Sequence, residues 1–88
     1  MKRYYVYILR SKKRDFIYYG YTTNLVKRFR MHNSRKVIST RRYAPLDLIF
    51  YEAYISKKDA KRREMYFKKT KGKVAVRMML KNTLHPLI

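Results

Sequence analysis

The sequence contains no cysteine, which excludes a disulfide framework, a thiol nucleophile and a thiolate-held zinc site. Tryptophan is absent as well, so aromatic packing falls to ten tyrosines and four phenylalanines. Two glycines (Gly20, Gly72) and two prolines (Pro45, Pro86) are all the backbone punctuation in 88 residues. With so little of it, no internal repeat and no low-complexity segment, the chain is expected to form one domain over residues 1–88. No apolar run approaches the roughly 20 residues that span a bilayer, and no signal-peptide pattern opens the chain. A soluble, cytoplasmic protein is the expectation. A chain of this size buries roughly 60–65% of its unfolded surface, enough for one core of modest depth.

Negative charge is the scarcest property. Five Asp and Glu stand against 24 Lys and Arg, a net charge of +19. Such a charge repels itself in a compact state and needs a compensating partner. A polyanion supplies one, because neutralised phosphates release their counterions. The cations are spread over the whole chain instead of gathering on one amphipathic helix, which argues against a membrane surface. Nucleic acid is the expected partner.

Aromatic and β-branched residues crowd "YYVYIL" (Tyr4–Leu9) and "FIYYGY" (Phe16–Tyr21), and each reads as a strand. The polar "SKKRD" between them makes a hairpin, with no Asn-Gly or Asp-Gly to define its turn. Thr23 or Asn24 caps a helix running to about Asn33. A basic loop, "SRKVISTRRYAP", leads to the third and most apolar strand, Leu46–Ile55. Ser56 to Asp59 has capping-box spacing and opens a second helix to about Thr70, which Gly72 is expected to break. "KVAVRMMLKN" closes the chain as a short helix, its valines leaving a strand open. The expected fold is α+β: a small three-stranded antiparallel or mixed sheet flanked by helices, in the order β-β-α-β-α-α.

Residues two apart on a strand share a face, so Tyr5, Tyr7 and Leu9 oppose Tyr4, Val6 and Ile8, while Tyr18 sides with Gly20. Hairpin pairing can bring Tyr7 and Tyr18 to a common face. The tyrosines can serve as half-buried packing, as a platform for nucleic-acid bases or as reactive phenols. On the first helix Leu25, Val26, Phe29 and Asn33 fall on one side, with Lys27, Arg30 and Ser34 opposite in solvent. Arg28 and His32 lie one turn apart on the flank. They are either part of a solvated basic helix or a cation and an imidazole able to meet a phosphate and move a proton. On the second helix Ala60, Glu64 and Phe67 line up, which puts a carboxylate on the side that should meet the core. An uncompensated buried carboxylate is costly, so Glu64 either pairs with Lys68 or faces a site holding a metal ion. A lone carboxylate suits magnesium, completed by waters and phosphate, and not zinc.

Taken in order, these residues resemble the GIY-YIG nuclease superfamily, in particular its small stand-alone bacterial members. The first motif appears as Tyr5-Val6-Tyr7 and the second as Tyr18-Tyr19-Gly20, ten residues apart. "TTNLVKRFRMHN" resembles the helix with an arginine and then a histidine four residues on, and "AKRREMYFKK" resembles the helix bearing a metal-binding glutamate. Tyr5 and Tyr19 replace the glycine and isoleucine of the motif names, and Tyr21 replaces a lysine found in some relatives. Asn82 lies too far along to match the asparagine that many members carry.

The resemblance implies a metal-dependent endonuclease hydrolysing DNA phosphodiester bonds, in DNA repair or recombination. It implies that Glu64 holds one magnesium ion, or manganese in its place. Tyr7 would activate or position the attacking water, Tyr18 would orient water or phosphate, Arg28 would neutralise transition-state charge and His32 would relay a proton. Gly20 would be the structural glycine of the second motif. Lys27, Arg30, Arg35, Lys36, Arg41 and Arg42, beside the predicted catalytic helix, are the candidate grip on the nucleic-acid backbone. A protein partner would supply specificity. The alternative is a nucleic-acid-binding module that keeps the scaffold without useful catalysis.

Overall fold

The computed structural model describes residues 2–85. Its elements are β1 (Tyr4–Ser11), β2 (Ile17–Thr22), α1 (Leu25–Asn33), β3 (Leu46–Tyr54), α2 (Lys57–Phe67), α3 (Thr70–Met79) and α4 (Lys81–Leu84), with a single 3-10 turn at Arg41–Tyr43. The sheet order is β2-β1-β3 and both pairings are antiparallel. β1 is therefore the central strand, and Val6, Tyr7, Ile8 and Leu9 are each at most 1% exposed. A strand covered on both faces carries an unbroken apolar run, as this one does. β3, the most apolar strand in sequence, lies at an edge with only Leu46 buried.

The period of two sorts the strands into two packed layers. Val6 and Ile8 meet Ala60 and Phe67 of α2, Val76 of α3 and Leu84 of α4. Tyr7 and Leu9 face the other way, with Ala44 and Leu46, and are covered by Leu25 and Phe29 of α1. The hairpin turn needs no glycine, because Ser11 organises it. Its hydroxyl accepts from the backbone N–H groups of Lys13 and Arg14, at 3.2 Å each, and donates to the Tyr43 carbonyl at 2.6 Å.

Asn24 caps α1 by accepting from the Lys27 N–H, and Ser56 caps α2 by accepting from that of Asp59. The far end of α1 is pinned by the Asn33 amide. It donates to the Leu46 carbonyl at 3.0 Å and accepts from the Leu46 N–H at 2.7 Å, taking the place of a neighbouring strand. Val26, expected on the apolar side of α1, is 61% exposed. The helix is seated through Leu25, Phe29 and His32, which rolls Val26 outward.

The expected break of α2 at Gly72 is corrected. α2 ends at Phe67, and Gly72 is buried within α3. A Cβ on Gly72 would collide with the Tyr66 backbone carbonyl, so glycine is there to let α3 fold back tightly against the end of α2. The closing segment is helical throughout, as α3 and then α4. Among the described residues no helix is long and apolar enough to cross a membrane.

Candidate active site

The register of the hairpin pairs Tyr7 with Gly20. The Tyr7 ring runs across that glycine, and a Cβ there would stand 2.5 Å from the phenol oxygen. Gly20 does not have a positive φ, so what it supplies is space. Tyr18 lies diagonally along β2 on the same face, its ring centroid 6.2 Å from that of Tyr7.

α1 lays His32 against both rings, edge-on, with centroids 5.7 Å from Tyr7 and 5.1 Å from Tyr18. His32 Nε2 is 2.8 Å from the Tyr7 hydroxyl, and Nδ1 is 2.7 Å from Thr40 Oγ1. His32 and Thr40 are both fully buried. The neighbouring phenols, Tyr7 first and then Tyr18, raise the pKa of Arg28, one turn earlier on α1. A neutral imidazole carries one N–H, so the two nitrogens take opposite roles toward Tyr7 and Thr40. With the proton on Nδ1, Nδ1–H donates to Thr40 Oγ1 and Nε2 accepts from the Tyr7 hydroxyl.

Burial pushes the Tyr7 phenol from 10.0 to about 12; the Arg28 hydrogen bond pulls against this, and the charges of Tyr18 and Glu64 add to the rise. Burial, followed by the charge of Arg28, lowers His32 from 6.5 to about 4. His32 is therefore neutral at pH 7, and this has a consequence for stability. An unfolded histidine takes a proton near 6.5 while the folded one resists until about 4. The stability that depends on neutral His32 is present above pH 6.5 and is lost as pH falls through 4. We expect the unfolding free energy to fall by about 3 kcal/mol more in the native chain than in His32→Gln between pH 7 and pH 4. Urea titrations at stepped pH check this, and equal slopes for the two proteins would refute it.

Glu64 comes from the other layer, on the turn of α2 between Ala60 and Phe67. It is 9% exposed, the one buried carboxylate among the described residues. Lys68 Nζ lies 3.1 Å from one oxygen and Lys61 Nζ 3.3 Å from the other. The carboxylate makes no hydrogen bond to either tyrosine; it reaches the cluster through its charge, which helps to raise the Tyr7 pKa. Of the two open readings of Glu64, the structure shows the pairing with Lys68.

The structure brings Tyr7, Tyr18, Arg28 and His32 into one contact cluster. Lys27, Arg30, Arg35, Lys36, Arg41 and Arg42 are all exposed, on α1 and the loop after it. Arg35 has a φ of 63°, and its guanidinium donates to the Arg41 carbonyl at 2.9 Å, which ties that loop back on itself. Thr40 was missed by sequence reasoning. It sits in a loop without periodicity, and no local signal marks it as the partner of His32.

The cluster itself holds no carboxylate, and the buried one nearby, Glu64, is paired with Lys61 and Lys68. No group of three or more His, Cys, Asp or Glu gathers among the described residues. Both nitrogens of His32 are engaged, so a hard divalent cation would depend on Glu64 exchanging a lysine for the ion.

Residues 3–79 match the GIY-YIG catalytic domain, and the chain belongs to that nuclease family. Within it, the chain is similar to small UPF0213 proteins. It is 41% identical over 71 residues to UPF0213 protein SpyM50708 of Streptococcus pyogenes serotype M5 (strain Manfredo), covering 80% of this chain and 76% of that one. The same figures hold for UPF0213 protein MGAS10270_Spy1222 of Streptococcus pyogenes serotype M2. The solution NMR structure of the UPF0213 protein BH0048 from Bacillus halodurans is 34% identical, with a TM-score of 0.55 over 88% of this chain and 84% of that one.

Proposed function

We propose that the chain is a magnesium-dependent endonuclease acting on DNA phosphodiester bonds, with Tyr7, Tyr18, Arg28, His32 and Glu64 as its working residues. The observation that carries this reading is a buried histidine hydrogen-bonded to Tyr7 and edge-on to both phenols, with Arg28 one turn earlier on the same helix and one buried carboxylate, Glu64, among the described residues. A net charge of +19 supports binding to a phosphate polyanion, of which DNA is the one proposed. Repair or recombination is the setting proposed, in the cytoplasm on the nucleoid, with a protein partner adding specificity.

Tyr7 would accept a hydrogen bond from the attacking water, aiming it at phosphorus, and take the water's proton as its own passes to His32 Nε2 and on to solvent. The proton does not come to rest on His32, because burial and the charge of Arg28 disfavour the imidazolium. His32, fixed by Thr40, therefore holds the phenol in orientation and shares its charge in passing. Arg28 would neutralise the negative charge that builds on the phosphate oxygens, and Tyr18 would orient water or phosphate beside it. A divalent ion on Glu64, when bound, supplies Lewis-acid polarisation of the phosphate. The exposed cations of α1 and its following loop would grip the flanking backbone.

One observation favours the second reading, a binding module without useful catalysis: Lys61 and Lys68 together neutralise Glu64. Incubation with supercoiled, branched and single-stranded DNA in magnesium, manganese or EDTA separates the two. Cleavage that requires the divalent ion is expected, and Tyr7→Phe should slow it by about 10²–10⁴-fold. Binding of every substrate with no cut in any metal would leave the binding module standing.

A further inference from the structure

Beside the cluster lies a second concavity that the proposed chemistry does not use. It has a volume of about 830 Å³ and opens between α1 and the β1–β3 pair. Tyr5 and Tyr51 lie on its sheet side, ring centroids 6.3 Å apart and tilted by 60°, so they do not close on each other as a stack. Leu25, Val26 and Phe29 form the helix side. Tyr51 is 55% exposed and Val26 61%. The charged side chains on its lining are Arg3 and Arg30, and no carboxylate is among them. One nitrogen of Arg3, Nη1, is buried without a hydrogen-bond partner.

These features set the chemistry of an occupant. It must present a flat apolar face to Tyr51 and bring anionic oxygens to the two guanidinium groups. A nucleotide with an unpaired base does both, whereas a duplex keeps its base faces inside its own stack. The position is also apt. Tyr51 is the cross-strand partner of Tyr7, so one strand spacing, about 4.8 Å, separates the two backbones. We propose that this groove binds an unpaired nucleobase of a single-stranded or branched nucleic acid, stacked on Tyr51, with Arg3 and Arg30 on its phosphates. This rests on the nuclease reading only in placing the neighbouring phosphate at Tyr7 and Arg28; the binding itself needs no cleavage.

The test measures affinity in EDTA, by fluorescence anisotropy, for a single strand, the same strand carrying abasic sites, and a blunt duplex of equal length. Tyr51→Ala should weaken single-strand binding by about 5- to 150-fold, the range for losing one base stack, with Tyr51→Phe near wild type. Duplex affinity should be unchanged, and abasic sites in the strand should reproduce the loss. Equal effects of Tyr51→Ala on strand and duplex, or no effect on either, would overturn the proposal. So would sedimentation showing that Tyr51→Ala splits a dimer, which would make the groove an interface between copies. If no substrate is cut but the Tyr51 discrimination persists, the groove stands and the nuclease reading falls. If cutting is seen without that discrimination, the groove falls alone.

Discussion

Glu64→Gln is expected to lower magnesium-dependent DNA cleavage by at least about 10³-fold while leaving the fold and the affinity for DNA in place. Glutamine keeps the shape and an acceptor oxygen for Lys68 but loses the charge that would hold a divalent ion. Little stability should go with it. The two lysines on Glu64 are about half exposed and stay solvated when the buried charge they offset is removed, so no unpaired buried charge is left behind. DNA affinity in EDTA should hold or rise slightly, since the change makes a basic chain one charge more basic. Plasmid nicking, urea denaturation and filter binding on the same preparation separate the three quantities. Nicking by Glu64→Gln at the wild-type rate would remove Glu64 from the site.

Gly20→Ala is expected to cost about 1–3 kcal/mol of stability through overpacking. It should also slow cleavage by about 10²-fold through displacement of Tyr7. The added methyl would overlap Tyr7 Cζ and lie 2.5 Å from the phenol oxygen. The ring has little room to retreat, being 1% exposed and held to His32 at 2.8 Å. Because Gly20 has an ordinary φ, alanine should be harmless there once the ring is gone. In a Tyr7→Ala background the same substitution should therefore be close to neutral, and a double-mutant cycle measures the difference. Additive losses would mean that Gly20 serves something other than Tyr7.

This pairing shows why the second motif keeps its glycine although other positions of both motifs vary here. Tyr5 and Tyr19 stand where the motif names have glycine and isoleucine, and the fold accommodates both, Tyr19 within the α2-side core and Tyr5 on the groove. Gly20 lies beneath a ring that must cross it, and no side chain fits there.

Much of this was legible because it depends on neighbours in sequence. Alternation along β1 and β2 allowed Tyr7 and Tyr18 a common face, and the hairpin register then brought their rings together. Helical spacing put Glu64 in line with Ala60 and Phe67, and all three are buried. Caps at Asn24 and Ser56 follow from side chains that accept N–H bonds two or three residues on. Gly72 was misjudged for a physical reason: a glycine that ends a helix and one that admits a neighbouring backbone look alike in sequence.

The sequence by itself determined the elements, their inward faces, the charge that calls for a polyanion, and the residue types of the site, because each rests on composition or a local period. The tertiary structure decided what those residues can do. It placed β1 at the centre, buried His32 against Tyr7, brought Thr40 to its other nitrogen, and opened a groove beside Tyr51. These are contacts between segments far apart in the chain, and their geometry is set by packing, which no local pattern encodes.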